Sequence, residues 1–196
     1  MSSRRRVAIG VTAVALILLG VFVGLTPGDQ TNHGHPDGAF AWLRPVPAPA
    51  DWNVARIRGG ATLSYPPRWR PLKTDPGTAT AGLVLGGDEI LGYLNATPRQ
   101  GPETLENWSS FRPDHNRDEG DRSVHLIASS TGLGFRGGRG SCVIDDYRTS
   151  TGNRYREIAC LVAGARADAV IVGAAPPDQW SRQRVAIEQA ISSFLT

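Results

Sequence analysis

SCVIDDYRTSTGNRYREIACLVA, from Ser141 to Ala163, reads as two strands folded back on each other. Ser150-Thr151-Gly152 suits a three-residue hairpin loop with glycine in the left-handed position, and that loop pairs residues whose numbers sum to 302. Cys142 then faces Cys160, Ile144 faces Ile158 and Asp146 faces Arg156, so sulfur, apolar and opposite-charge pairs agree with one alignment. These are the chain's two cysteines. In an oxidising compartment such neighbours join as a structural disulfide, worth about 3 kcal/mol for a closed loop of this size. Two buried free thiols are the alternative, and a redox-active pair is disfavoured because there is no Cys-x-x-Cys motif.

Working outward from this hairpin, Ser123 to Ser129, Leu133 to Arg136 and Ala167 to Ala174 read as further strands separated by glycine-rich turns. Connections this short favour antiparallel neighbours, since parallel pairs need long crossovers. Upstream, strand-like runs span Trp52 to Ile57, Ala61 to Tyr65, Thr80 to Leu85 and Glu89 to Ala96. Gly101-Pro102-Glu103 has the form of a helix start, with proline pre-set for the first turn and glutamate complementing the dipole. Leu105, Trp108 and Phe111 then recur at helical spacing until Pro113, which predicts one short amphipathic helix. A closing helix is expected over Asp178 to Leu195, with Asp178 as N-cap and Ile187, Ile191 and Leu195 on one face. The sum is an α+β domain, a mainly antiparallel sheet packed by one inserted and one terminal helix.

The chain has 196 residues, 40% of them apolar and 20% charged. Val7 to Leu25 forms 19 residues without a charge, long enough to cross a hydrocarbon core of roughly 30 Å. With Arg4-Arg5-Arg6 before it and Asp29 after it, the expected orientation puts the amino terminus in the cytoplasm and the rest outside. The reading is an uncleaved signal anchor; a cleaved signal peptide is the rival, against which stand the length and the poor small-x-small site. Residues 1–6 are then a cytoplasmic basic tail and residues 26–51, rich in proline and glycine, a linker. His33-Gly34-His35 within it lacks a third ligand at metal spacing and is read as solvated linker. Phe40, Ala41, Trp42 and Leu43 are an apolar island that docks on the membrane or on the domain. Residues 52–196 are the exported domain, large enough to bury a core without a metal.

Net charge is +3 and the pI about 9.2. Arg4, Arg5 and Arg6 supply that whole excess, so the remainder has no net field for a polyanion, and nucleic-acid binding is not expected. Gly132-Leu133-Gly134-Phe135-Arg136-Gly137 matches a dinucleotide fingerprint literally, but a strand rather than a helix follows, so no cofactor is expected. His115 and His125 are the domain's histidines, and any hydrolytic triad must use one of them. Ser109, Ser110 and Asp114 near His115 read as surface polar residues. Asp145 and Asp146 are adjacent strand residues on opposite faces and cannot easily share a proton or a metal. Arg136, Arg139, Arg148, Arg154 and Arg156 gather around the hairpin with Asp145, Asp146 and Glu157, which predicts a self-paired surface network.

Leu63-Ser64-Tyr65-Pro66-Pro67-Arg68-Trp69 carries a Tyr-Pro-x-x-Trp turn after an early strand; Asn95-Ala96-Thr97-Pro98 precedes the helix bearing Leu105 and Trp108, and Ala190-Ile191-Ser192-Ser193-Phe194 closes the chain. In these features residues 52–196 resemble the PsbP-like superfamily, which includes LpqN-type actinobacterial envelope proteins. The resemblance implies an α-β-α sandwich with a central, mainly antiparallel sheet and a non-catalytic binding or assembly role. It supplies no catalytic residues, and this chain lacks the lipid-acceptor cysteine of LpqN-type members. The expected function is a membrane-anchored extracytoplasmic binding or adapter domain, without cofactor or metal, whose partner is an envelope protein or a small ligand. Trp108, Arg112, His115, Arg136 and Arg139 are the candidate contact surface, although core packing is favoured for Trp108. An envelope hydrolase whose site converges only in the fold is the alternative, as is a structural subunit of a membrane assembly. A hydrolase requires His115 or His125 in a concave pocket beside a nucleophile or carboxylate.

Overall fold

The computed structural model describes residues 38–86 and 89–196. The basic triplet, the run from Val7 to Leu25 and the His33-Gly34-His35 motif lie outside the described residues. Among those described, no helix is long and apolar enough to cross a membrane.

A small antiparallel pair, β1 (Asn53–Arg56) and β2 (Thr62–Tyr65), precedes the main sheet. The chain then forms β3 (Arg70–Pro71), β4 (Ala79–Val84) and β5 (Ile90–Pro98), crosses through helix α1 (Trp108–Asp118), and continues as β6 (Arg122–Phe135), β7 (Gly138–Arg148), β8 (Arg154–Gly164) and β9 (Ala169–Ala175), ending in helix α2 (Trp180–Ser193). The seven-stranded sheet has the order β3-β4-β5-β9-β8-β7-β6, and every neighbouring pair is antiparallel. The crossover carries the chain from β5 to the far edge, and a meander brings it back until β9 lies beside β5.

Alternation along the strands separates two cores. On β8, Ile158, Cys160 and Val162 pack with Ile187 and Ile191 of α2 and with Phe194 just after it, while Ala159 and Leu161 pack with Trp108 of α1. Because successive strand residues face opposite sides, the helices cover opposite faces, and the domain is an α-β-α sandwich. The β7–β8 hairpin has the register read from its loop. Arg148 pairs with Arg154, Ile144 with Ile158 and Asp146 with Arg156, and Gly152 turns the loop at a φ of 96°. Cys142 and Cys160 are directly opposite, buried, 4.1 Å apart at Cα and joined by a disulfide on the α2 side of the sheet.

Several boundaries differ from the expectation, each for a local reason. Helix α1 starts at Trp108, not at Gly101-Pro102-Glu103; in the turn before it the Asn107 Oδ1 accepts the Thr104 N–H at 2.7 Å and the Thr104 Oγ1 accepts the Asn107 N–H at 3.2 Å, and Asn107, the N-cap, gives the helix no side-chain cap bond. Nor does Pro113 end it. The helix runs through this proline to a Schellman stop, with Gly120 N–H donating to Arg117 O and Asp121 N–H to Asn116 O. Asp178 is not the N-cap of α2; the Gln179 N–H closes a turn on Pro176 O, and the helix begins only at Trp180. At its other end Phe194 adopts an extended backbone, and Leu195 leaves the helix to bridge Thr62 and Arg136. The two strands expected over 123–136 are one, β6, whose pairing with β7 slips at three places.

The linker also ends earlier than its composition suggests. Phe40 and Leu43 are buried in the α2-side core, the Val46 N–H donates to Ser192 O, and the Arg44 N–H to Ser192 Oγ. The apolar island therefore docks on the domain.

Candidate functional site

Helix α1 packs mainly on β6 and β7 at one end of the sheet, with Trp108 reaching Val170 and Val172 of β9, so the same face of β5 and β9 is only partly covered. A cleft of about 540 Å³ opens there. Val170 and Val172 of β9 and Tyr93, Asn95 and Thr97 of β5 line it along the sheet; Trp108, Phe111, Arg112, His115 and Glu119 line it from α1 and its end. The loop after β5 contributes Glu103, and the loop before β4 contributes Asp75 and Thr78. The volume is in the range of small-molecule sites, and the lining mixes apolar surface with a few polar groups, as such sites do.

Beneath the α1 wall lies a buried polar cluster. Arg112 reaches down from α1 and makes a two-pronged ion pair with Glu157 of β8, Nε to Oε1 at 2.7 Å and Nη2 to Oε2 at 3.0 Å. Burial alone lowers the Arg112 pKa, but the Glu157 carboxylate more than reverses this and holds the guanidinium charged. The Tyr93 and Tyr147 hydroxyls lie 3.0 Å apart in the same cluster. Burial first, and Glu157 second, push both upward, so they stay neutral. Asp145, fully buried beside Glu157, is pushed up to about 8, chiefly by burial and then by the Glu157 charge. Its Oδ2 accepts a long hydrogen bond of 3.4 Å from Asn116 Nδ2, and its Oδ1 has no partner among the described residues. One arginine thus serves two carboxyl groups, and the second keeps its proton.

Three of the five candidate contact residues meet at this cleft. Trp108 is only 1% exposed and donates its indole N–H to Ala159 O at 3.0 Å, so it is a core anchor at the base of the cleft rather than an open contact. Phe111 stacks on Trp108, and His115 stacks on Phe111. Arg112 is committed to Glu157. Arg136 and Arg139 lie elsewhere, at the β6–β7 turn, where Arg136 Nη1 donates to Ser193 O and Arg139 Nη2 to Gly132 O. The expected hairpin network is only partly a surface one. Asp146 and Arg156 form a two-pronged pair, but Asp145 and Glu157 face inward beneath α1, because the alternation that puts Asp146 outside puts its neighbour inside. Asp114 pairs with Arg117 on the exposed side of α1.

His115 lines the cleft with a side chain 42% exposed, and its Nε2 is 3.2 Å from Glu119 Oε1. This meets part of what a hydrolase requires. No hydroxyl or thiol is hydrogen-bonded to His115 or His125 among the described residues, and His125 sits exposed on β6. Glu103, Tyr93, Asn95 and Thr97 were missed as site residues. The alternation Gly92-Tyr93-Leu94-Asn95-Ala96-Thr97 carried a signal for the last three, since a polar set on every second position marks a face that the main core does not take.

The domain is similar to the solution structure of the cyanobacterial PsbP protein, CyanoP, from Synechocystis, with a TM-score of 0.52 at 15% identity over 74% of this chain and 92% of that one. It therefore has the PsbP-like fold. The crystal structure of LpqN of Mycobacterium tuberculosis, described as involved in cell envelope biogenesis, matches with a TM-score of 0.44 at 13% identity, over 74% of this chain and 89% of that one. No protein-family model and no curated protein matches the sequence.

Proposed function

We propose that the chain is a membrane-anchored extracytoplasmic binding domain of the bacterial envelope that takes a ligand in the cleft between α1 and the sheet. The observation that carries the binding role is the cleft itself, an open, mixed-polarity hollow stiffened from below by the Arg112–Glu157 pair and the two tyrosines. The disulfide supports the exported placement, because bridges of this kind persist in oxidising compartments. The apolar run from Val7 to Leu25 supports the anchor. A second reading, an envelope hydrolase, draws on the His115–Glu119 contact in the cleft wall, but among the described residues no hydroxyl or thiol is hydrogen-bonded to that histidine.

Both parts are open to test on the full-length chain. A carboxyl-terminal fusion to alkaline phosphatase, which matures only outside the cytosol, should be active and should pellet with membranes, with Cys142 joined to Cys160 on non-reducing mass analysis. An inactive, soluble fusion with free thiols overturns the placement. For the cleft, a set of small fragments should shift the Trp108 indole and Val170 and Val172 methyl NMR signals; a set that leaves them still overturns the binding site.

A further inference from the structure

Glu103 is only 4% exposed, sits in the loop between β5 and α1, and lines the cleft. Its Oε1 accepts the Gln100 backbone N–H at 3.0 Å, and its Oε2, equally buried, accepts no hydrogen bond among the described residues. A buried carboxylate oxygen without a donor is costly, so the site is poised to receive one. The hydrogen bonds that the polar side chains beside it donate go to other acceptors. Gln100 Nε2 donates to Thr97 Oγ1, Thr97 Oγ1 to Pro98 O, and Asn95 Nδ2 to Thr80 Oγ1.

The charges agree. Arg112 is neutralised by Glu157 and Glu119 faces His115, which leaves Asp75 and Glu103 as lining carboxylates without an ion-pair partner among the described residues. An anion would meet this field unfavourably, and a neutral hydroxyl would satisfy Glu103 but not the charge. Val170, Val172, Phe111 and Pro98 supply apolar wall. We propose that the cleft accepts a small organic primary ammonium, a protonated amine on an apolar body, with its N–H groups directed to Glu103 and its apolar part against β9 and Phe111. An ammonium has three donors, no acceptor and the right charge. This inference rests on the cleft being a ligand site.

The test uses the full-length chain in detergent micelles and three probes of one shape: benzylammonium, benzyl alcohol and benzoate. Titrations followed by the Trp108 indole and the Val170 and Val172 methyl signals should show benzylammonium binding about tenfold more tightly than benzyl alcohol, with benzoate weakest. Glu103→Gln, which keeps an oxygen for the Gln100 N–H, should remove that preference, so that benzylammonium and benzyl alcohol bind alike. Exposed Asp75→Asn, which cannot disturb the core, should weaken the ammonium alone by a smaller factor. If alcohol and ammonium bind equally, or if the preference survives both substitutions, the ammonium assignment falls and the cleft remains a ligand site. If none of the three probes moves those signals, both fall.

Discussion

Asp145 keeps its proton because its neighbours leave it no better choice. It faces Glu157 across the β7–β8 ladder, Arg112 from α1 is taken by that glutamate, and Asp146 and Asp121 add further negative charge nearby. An unfolded aspartate releases its proton near pH 4, whereas this one holds it to about 8. Between those values the folded state binds one proton more than the unfolded state, so stability falls as pH rises from about 4 to about 8 and levels off above. Asp145→Asn should abolish that slope and leave the variant more stable than the parent at the alkaline end, as read by urea unfolding midpoints across the range. Parallel profiles would show that Asp145 is not the group responsible. Strand alternation already told that Asp145 and Asp146 part to opposite faces. It could not tell which face is roofed, because the partner that decides it, Arg112, is 45 residues away along the chain from Glu157.

At the level of elements, the hairpin was legible and the ends of α1 were not, and the difference is physical. The register of β7 on β8 is fixed by a loop of three residues and by pairs that must agree with it, all within one short stretch of chain. Helix α1 breaks two local rules at once. Its start follows an exchange of hydrogen bonds between Thr104 and Asn107 instead of a glutamate-bearing capping box, and its interior contains Pro113, which has no N–H to give and is buried. The true stop was written in the sequence as Arg117 followed by Gly120, whose φ of 93° only glycine adopts without cost. Gly120→Ala should therefore destabilise the domain by about 1 kcal/mol, measured by chemical denaturation. A neutral result would mean that the turn into β6 does not depend on that conformation.

On the scale of the whole molecule, sandwich class and strand order within the meander follow from short connections, but the cleft does not follow from any of them. It exists because α1 is placed chiefly over β6 and β7 and covers β5 and β9 only in part. The start of the domain was equally hidden, since proline-rich composition looks like tether while Phe40 and Leu43 are buried. Phe40→Ala in the full chain should cost about 3–5 kcal/mol by urea unfolding, the range for a buried phenylalanine. A change within a few tenths would return that island to the linker.

That docking has a mechanical side. Phe40, Leu43 and the hydrogen bonds to Ser192 belong to the α2 flank, whereas the cleft belongs to the α1 flank. A tug on the polypeptide upstream of Gly38 is therefore absorbed on the back of the sheet, at the first buried ring and the helix behind it. Between that flank and the mouth of the hollow lies a seven-stranded sheet whose β7 and β8 are cross-linked by sulfur. An anchor pulling on one flank would thus leave the proposed binding face on the other flank in place.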